Sequence, residues 1–271
     1  MELLTIVWNV KPQIIEIGDF QLRWYGLLFA SAFLVGNYLM GKMFKHEGVP
    51  AIWLDKILIY VLIGTVLGAR FGHVFFYDWP YYSQNLGEIL MVWKGGLASH
   101  GAAIGIILAL WAFSKRVSHR SILWALDRVV IVVASAAVFI RFGNLMNSEI
   151  IGIPTDVPWA FVFERVDMLP RHPVQLYEAF GYLLLFLLLH FLYWKKAAGE
   201  KSGLLFGLFL SILFSLRIVL ENYKNSQGGF ESSLGDTLST GQWLSIPFVL
   251  IGFYFIWRGL KLEARSTKHE D

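Results

Sequence analysis

Apolar residues run through this chain in blocks long enough to cross a bilayer, separated by short polar connections. The blocks fall at 21–43, 54–76, 97–113, 121–142, 175–194, 203–222 and 242–258, most of them near the ~20 residues that span about 30 Å of hydrocarbon. The pattern predicts an all-α polytopic membrane protein, seven transmembrane helices in one integral membrane domain over residues 1–271. The third block is short, and Glu88 to Gly96 before it reads as a re-entrant or interfacial element. The connection from Asn144 to Val174, acidic and broken by prolines, reads as a small irregular head between spans four and five.

Composition agrees. Of 271 residues, 56% are apolar and 16% charged, against about 45–50% and about 25% in soluble domains, which excludes a soluble, disordered or coiled-coil protein. Thirteen Lys and Arg follow spans one, three, five and seven, including the tail from Arg258 to Lys268, and five lie on the opposite side. By the positive-inside rule the N-terminus is then outside and the C-terminus cytoplasmic. The net charge of +3 thus reports topology and implies no nucleic-acid partner. Met1 to Phe20 is too broken for a signal-peptide core, so the first helix serves as the insertion signal. The chain has no cysteine, so any sulfur chemistry must belong to a substrate.

Five arginines remain in or at the ends of spans: Arg23, Arg70, Arg128, Arg141 and Arg217. Each costs at least ~2.5–3.5 kcal/mol to insert and asks for a partner or a task. Placed by span direction, Arg23, Tyr25, Arg70, His73, His100, Arg141, Asn144, Glu178, Arg217 and Glu221 all fall toward the outer leaflet. Asp127, Arg128 and His190 lie inward and read as structural, Asp127 as a cap. A one-sided cluster suits chemistry on a lipid headgroup, whereas a transporter concentrates polarity at the midplane. Arginine forks suit an anionic phosphodiester. Arg23 also reads as a snorkelling anchor, and Arg217 with Glu221, four apart, as a buried ion pair. Gly64, Gly68 and Gly72 permit close helix packing, within the chain or between chains.

No zinc helix, nucleophile elbow or phosphate loop is present, so neither metal nor cofactor is expected. What stands out is Gly95-Gly96-Leu97-Ala98-Ser99-His100-Gly101, then Arg141-Phe142-Gly143-Asn144-Leu145-Met146-Asn147-Ser148-Glu149-Ile150-Ile151-Gly152, then His172-Pro173-Val174-Gln175-Leu176-Tyr177-Glu178. With Arg23-Trp24-Tyr25-Gly26 and Arg217 through Glu221, these segments resemble the prolipoprotein diacylglyceryl transferase family over nearly the whole chain. The sequence departs from the family's usual pattern at Ile140, Leu145 and Ala102, none of them a polar position.

The resemblance implies a bacterial inner-membrane enzyme that transfers the diacylglyceryl group of phosphatidylglycerol to the lipobox cysteine of a prolipoprotein signal peptide, releasing glycerol phosphate. On that reading Arg141 binds the phosphate, with Arg217 second and Glu221 orienting Arg217. Asn144, Asn147, Glu149, Gly152 and Gly96 bind the headgroup or hold its loops. His100 is the favoured base for the thiol, Tyr25 the alternative, and Glu178 tunes either one. The rival classes are a lipid or anion transporter using the same arginines and a seven-span scaffold whose charges only fix packing.

Overall fold

The computed structural model describes residues 5–18, 20–224 and 238–266; Lys268, Asp19 and the first four residues lie outside them. Seven helices among the described residues are long and apolar enough to cross a membrane. They are α1 (Trp24–His46), α2 (Ile52–Phe76), α4 (Ser99–Phe113), α5 (Ile122–Asn147), α6 (Val174–Lys196), α7 (Leu204–Leu220) and α8 (Thr240–Ser266), with the short α3 (Trp79–Tyr82) between α2 and α4. The short third span is lengthened by a π-helical turn, Ser114–Ser118, that continues α4.

Three boundaries differ from the sequence reading in ways that matter. The first span begins at Trp24 because the preceding residues pair as a hairpin of β2 (Gln13–Ile17) and β3 (Phe20–Arg23). Arg23 therefore ends a strand; it is exposed and donates to Gln21 Oε1 at 2.9 Å. The fourth span runs on to Asn147, which puts Arg141, Asn144 and Asn147 in its last two turns. Between α5 and α6 the chain adds β4 (Phe161–Phe163) and β5 (Pro170–Arg171). The N-terminal β1 (Ile6–Trp8) pairs with β4 in parallel and β5 pairs with it antiparallel. This three-stranded sheet covers an apolar cluster of Leu145, Ile151, Phe161 and Phe163, with Trp8 and Leu176 against it.

The chain divides into two compact units. In the unit of residues 39–126, α2 packs on α4 through glycines. A Cβ on Gly64 would lie 2.6 Å from the Gly105 carbonyl oxygen, and one on Gly72 would lie 2.6 Å from Gly101 Cα. The glycine stripe is thus used within the chain, letting two backbones touch. At its end Arg70, fully buried, spends its guanidinium on main-chain carbonyls: Nε donates to Ile89 at 2.7 Å, Nη2 to Glu88 and Nη1 to Gly95, both at 2.6 Å. The Tyr82 ring lies 4.8 Å from the guanidinium. A buried cation satisfied by carbonyls is stable where a bare one is not, so Arg70 ties the Glu88–Gly96 segment to α2.

In the other unit, residues 1–38 and 127–271, α7 packs on α8 and on α6. Asp127, fully buried on α5, accepts the backbone N–H groups of Gly203 at 2.7 Å and Phe206 at 2.9 Å. It caps the start of α7 from a neighbouring helix, satisfying donors that no preceding turn can reach.

Candidate active site

The last turns of α5 and the loop after them carry most of the polar residues singled out in the sequence. An α-helix leaves its final carbonyls without partners. Here Asn144 O accepts the Glu149 N–H at 2.9 Å, and Leu145 O accepts both the Ser148 N–H and the indole N–H of Trp8, each at 3.0 Å. The turn needs Ser148 and Ile150 at positive φ, 56° each, an uncommon conformation for a non-glycine residue and more so for a β-branched one. Side chains hold it there. Asn144 Nδ2 and Asn147 Nδ2 donate to the Glu149 carboxylate at 3.3 and 3.1 Å, and the buried Gln175 on α6 donates to the Glu149 carbonyl at 2.6 Å. Glu149 is thereby the loop's fastening point.

Arg141 is partly buried on the same helix. Its Nη1 donates to Asn144 Oδ1 at 3.0 Å, and its Nε lies 3.0 Å from Glu178 Oε2. Neither Arg141 Nε nor Glu178 Oε2 has a hydrogen-bond partner, so this is an ion contact in which the N–H is not aimed at the oxygen. Glu178 is fully buried on α6. Its other oxygen, Oε1, lies 2.9 Å from Lys224 Nζ and accepts the Tyr182 hydroxyl at 3.4 Å. Lys224 also reaches Glu221 Oε2 at 3.5 Å. Glu221 therefore pairs with Lys224, while Arg217 Nε is buried without a hydrogen-bond partner, in place of the Arg217–Glu221 pair expected from their spacing.

Gly152 closes the loop. Its N–H donates to His172 O at 3.0 Å, the next N–H, of Ile153, donates to Tyr223 O at 2.9 Å, and Gly152 is bridged to Lys224. His172 Nδ1 lies 3.1 Å from the Tyr177 hydroxyl, which accepts the Trp159 indole N–H at 2.7 Å. Burial lowers the His172 pKa below the ordinary imidazole value. Tyr25, in the first turn of α1, lays its ring on Gly143, where a Cβ would sit 2.8 Å from Tyr25 Cδ2.

One unit thus gathers Tyr25, Arg141, Asn144, Asn147, Glu149, Gly152, Glu178 and Glu221 into one region and carries Arg217 on α7. Gly96 and His100 belong to the other unit. His100 is exposed in the first turn of α4, and Gly96, at φ 69°, lies against Arg70 and His73. The sequence reading gives no role to Lys224, a loop charge there, to Gln175, which stands inside the His172–Glu178 motif, or to Tyr182. A signal for the last two was present: Gln175, Glu178 and Tyr182 follow at spacings of three and four along one helical face.

A family model described as prolipoprotein diacylglyceryl transferase matches residues 12–258. Relatives named phosphatidylglycerol–prolipoprotein diacylglyceryl transferase include one from Chloroherpeton thalassium, 48% identical over 94% of this chain and 95% of its own. Another, from Tolumonas auensis, is 46% identical over 96% of this chain and 100% of its own. A third, from Porphyromonas gingivalis, is 44% identical over 94% and 95%.

Proposed function

The chain belongs to the prolipoprotein diacylglyceryl transferase family, and on that premise we propose that it moves the diacylglyceryl group of phosphatidylglycerol onto the lipobox cysteine thiol of a prolipoprotein. It is a transferase and a multi-pass protein of the bacterial inner membrane. The observation that carries the substrate reading is Arg141, a guanidinium at a helix end held by Asn144 and by a fully buried carboxylate. Such a preorganised fork suits a phosphodiester oxygen that gains charge as its bond to carbon breaks.

The reaction forms a sulfur–carbon bond and breaks the carbon–oxygen bond between the diacylglyceryl carbon and phosphate. The bonding pair leaves with glycerol phosphate, whose oxygen gains negative charge beside Arg141. The thiol, with an ordinary pKa of about 8.5, gives its proton to a base, His100 on this proposal, with Tyr25 as the alternative. Asn144, Asn147, Glu149 and Gly152 keep the headgroup loop in shape, and Arg217 is the second phosphate ligand. The Lys and Arg asymmetry supports an N-terminus outside and a cytoplasmic C-terminus. The 144–174 head and the arginine cluster then face the side from which the prolipoprotein cysteine arrives. The transporter alternative is not favoured by the family.

The test is transfer in detergent, with purified protein, phosphatidylglycerol and a lipobox peptide read by mass, and Arg141→Ala alongside. A diacylglyceryl mass gain that vanishes in the variant is expected. Wild-type protein that binds the lipid and leaves the peptide unmodified would reject the transferase reading and revive the transporter.

A further inference from the structure

Glu178 is a single fully buried carboxylate that faces two cations, Arg141 through Oε2 at 3.0 Å and Lys224 through Oε1 at 2.9 Å. Lys224 is no loose surface lysine: its side chain is 10% exposed, and its backbone is bridged to Gly152 beside the Ile153–Tyr223 hydrogen bond. Main-chain pairing thus fixes it to the loop that Arg141, Asn144 and Glu149 build. A buried carboxylate next to one arginine tends toward a two-pronged pair, two parallel hydrogen bonds that cancel the charge of both. That pair has not formed here. The second oxygen is taken by the lysine, and the closest approach of the guanidinium to Glu178, Nε to Oε2 at 3.0 Å, is not a hydrogen bond.

We propose that Lys224 is a positioning residue for the phosphate-binding arginine: by occupying Glu178 Oε1 it keeps Glu178 from closing on Arg141, so that the guanidinium stays available to the substrate. The inference rests on the phosphate-binding reading of Arg141 given above.

The experiment compares the full-length protein in detergent with Lys224→Arg, Lys224→Met, Lys224→Gln and the double variant Glu178→Gln/Lys224→Met. It measures transfer kinetics, direct binding of phosphatidylglycerol and thermal melting. Lys224→Met and Lys224→Gln should raise KM for phosphatidylglycerol at least about tenfold, the size of a ~1.4 kcal/mol loss of binding, with a smaller fall in kcat. Lys224→Arg should restore near-normal KM. The double variant should recover most of what Lys224→Met loses, because no carboxylate remains to capture Arg141. A lysine that only held the fold together would give the opposite order, with the double variant worse than the single one and activity following the melting temperature. The proposal is overturned by that order, or by a KM within about twofold of wild type in whichever of Lys224→Met and Lys224→Gln folds. Should wild type transfer nothing yet bind lipid in the expected order across the variants, the transferase reading falls and the positioning role stands.

Discussion

Asn144 accepts a hydrogen bond from Arg141 Nη1 through Oδ1 and passes one on to Glu149 through Nδ2. The plane of the guanidinium is therefore set by the same amide that ties down the loop beyond the helix. An ammonium group carries charge but has neither a plane nor a fork. Arg141→Lys cannot meet both Asn144 and Glu178 in this geometry. Its kcat/KM for transfer should fall by about 10²–10³, the range seen when one preorganised donor is lost. Initial rates with phosphatidylglycerol and a lipobox peptide check this, and a fall under about tenfold would mean that charge alone suffices.

Asp127 accepts the backbone N–H groups at the start of α7, and its expected role is in the fold. Replacing it by alanine strips the Gly203 and Phe206 N–H groups of their acceptor and uncaps α7. Thermal or denaturant unfolding in detergent should show a loss of about 1–2 kcal/mol, the usual worth of a cap. Transfer activity per folded molecule should stay as in wild type.

The seven spans were legible because each is a long apolar run, and an apolar run has few other ways to satisfy its backbone in lipid. The strands were not, since Ile6–Trp8 and Phe161–Phe163 are three residues each and gain their order from pairing with each other across most of the chain. The same contrast runs through the site. Arg141, Asn144 and Glu149 are close in sequence, and their spacing announces a shared helix end. Lys224 meets Glu178 only because the chain beyond α7 returns to Gly152, a tertiary event with no local trace. Likewise the Gly64, Gly68 and Gly72 stripe announced a close approach without naming Gly101 and Gly105 as the partners.

Arg171 is buried, donates from Nε and Nη2 to Asp167 and from Nη1 to the Gly152 carbonyl at 3.0 Å. The guanidinium holds the Asp167 carboxyl below the usual range. A carboxylate with a depressed folded-state pKa stabilises the fold fully above its unfolded value of about 3.9 and loses that contribution as pH falls through the lower, folded value. The Asp167 side chain is partly exposed, so the effect is modest and local. Hydrogen exchange should show protection at Leu169, whose N–H donates to Asp167, constant from neutral pH to about 4 and falling below it. In Asp167→Asn that acid step should be absent, and an unchanged step would assign it to another group.

Gly152 tests whether the site depends on backbone closure. A Cβ added there would lie 2.5 Å from His172 O, 2.6 Å from His172 Cβ and 2.8 Å from Tyr223 O. Two of these are main-chain oxygens that no side-chain rotation can move. Alanine must therefore separate the strand-like segments that carry Ile153, His172 and Tyr223. Because Lys224 follows Tyr223 directly, its ammonium shifts relative to Glu178 at the same time. The α-helices are untouched, so Gly152→Ala should melt within a few degrees of wild type while kcat/KM falls about 10²-fold, the scale expected for a displacement near 1 Å of positioning groups. Transfer rates and thermal melts on one preparation separate the outcomes. Activity and stability falling together would make Gly152 a folding residue, and activity near wild type would show that the loop can open without disturbing Arg141.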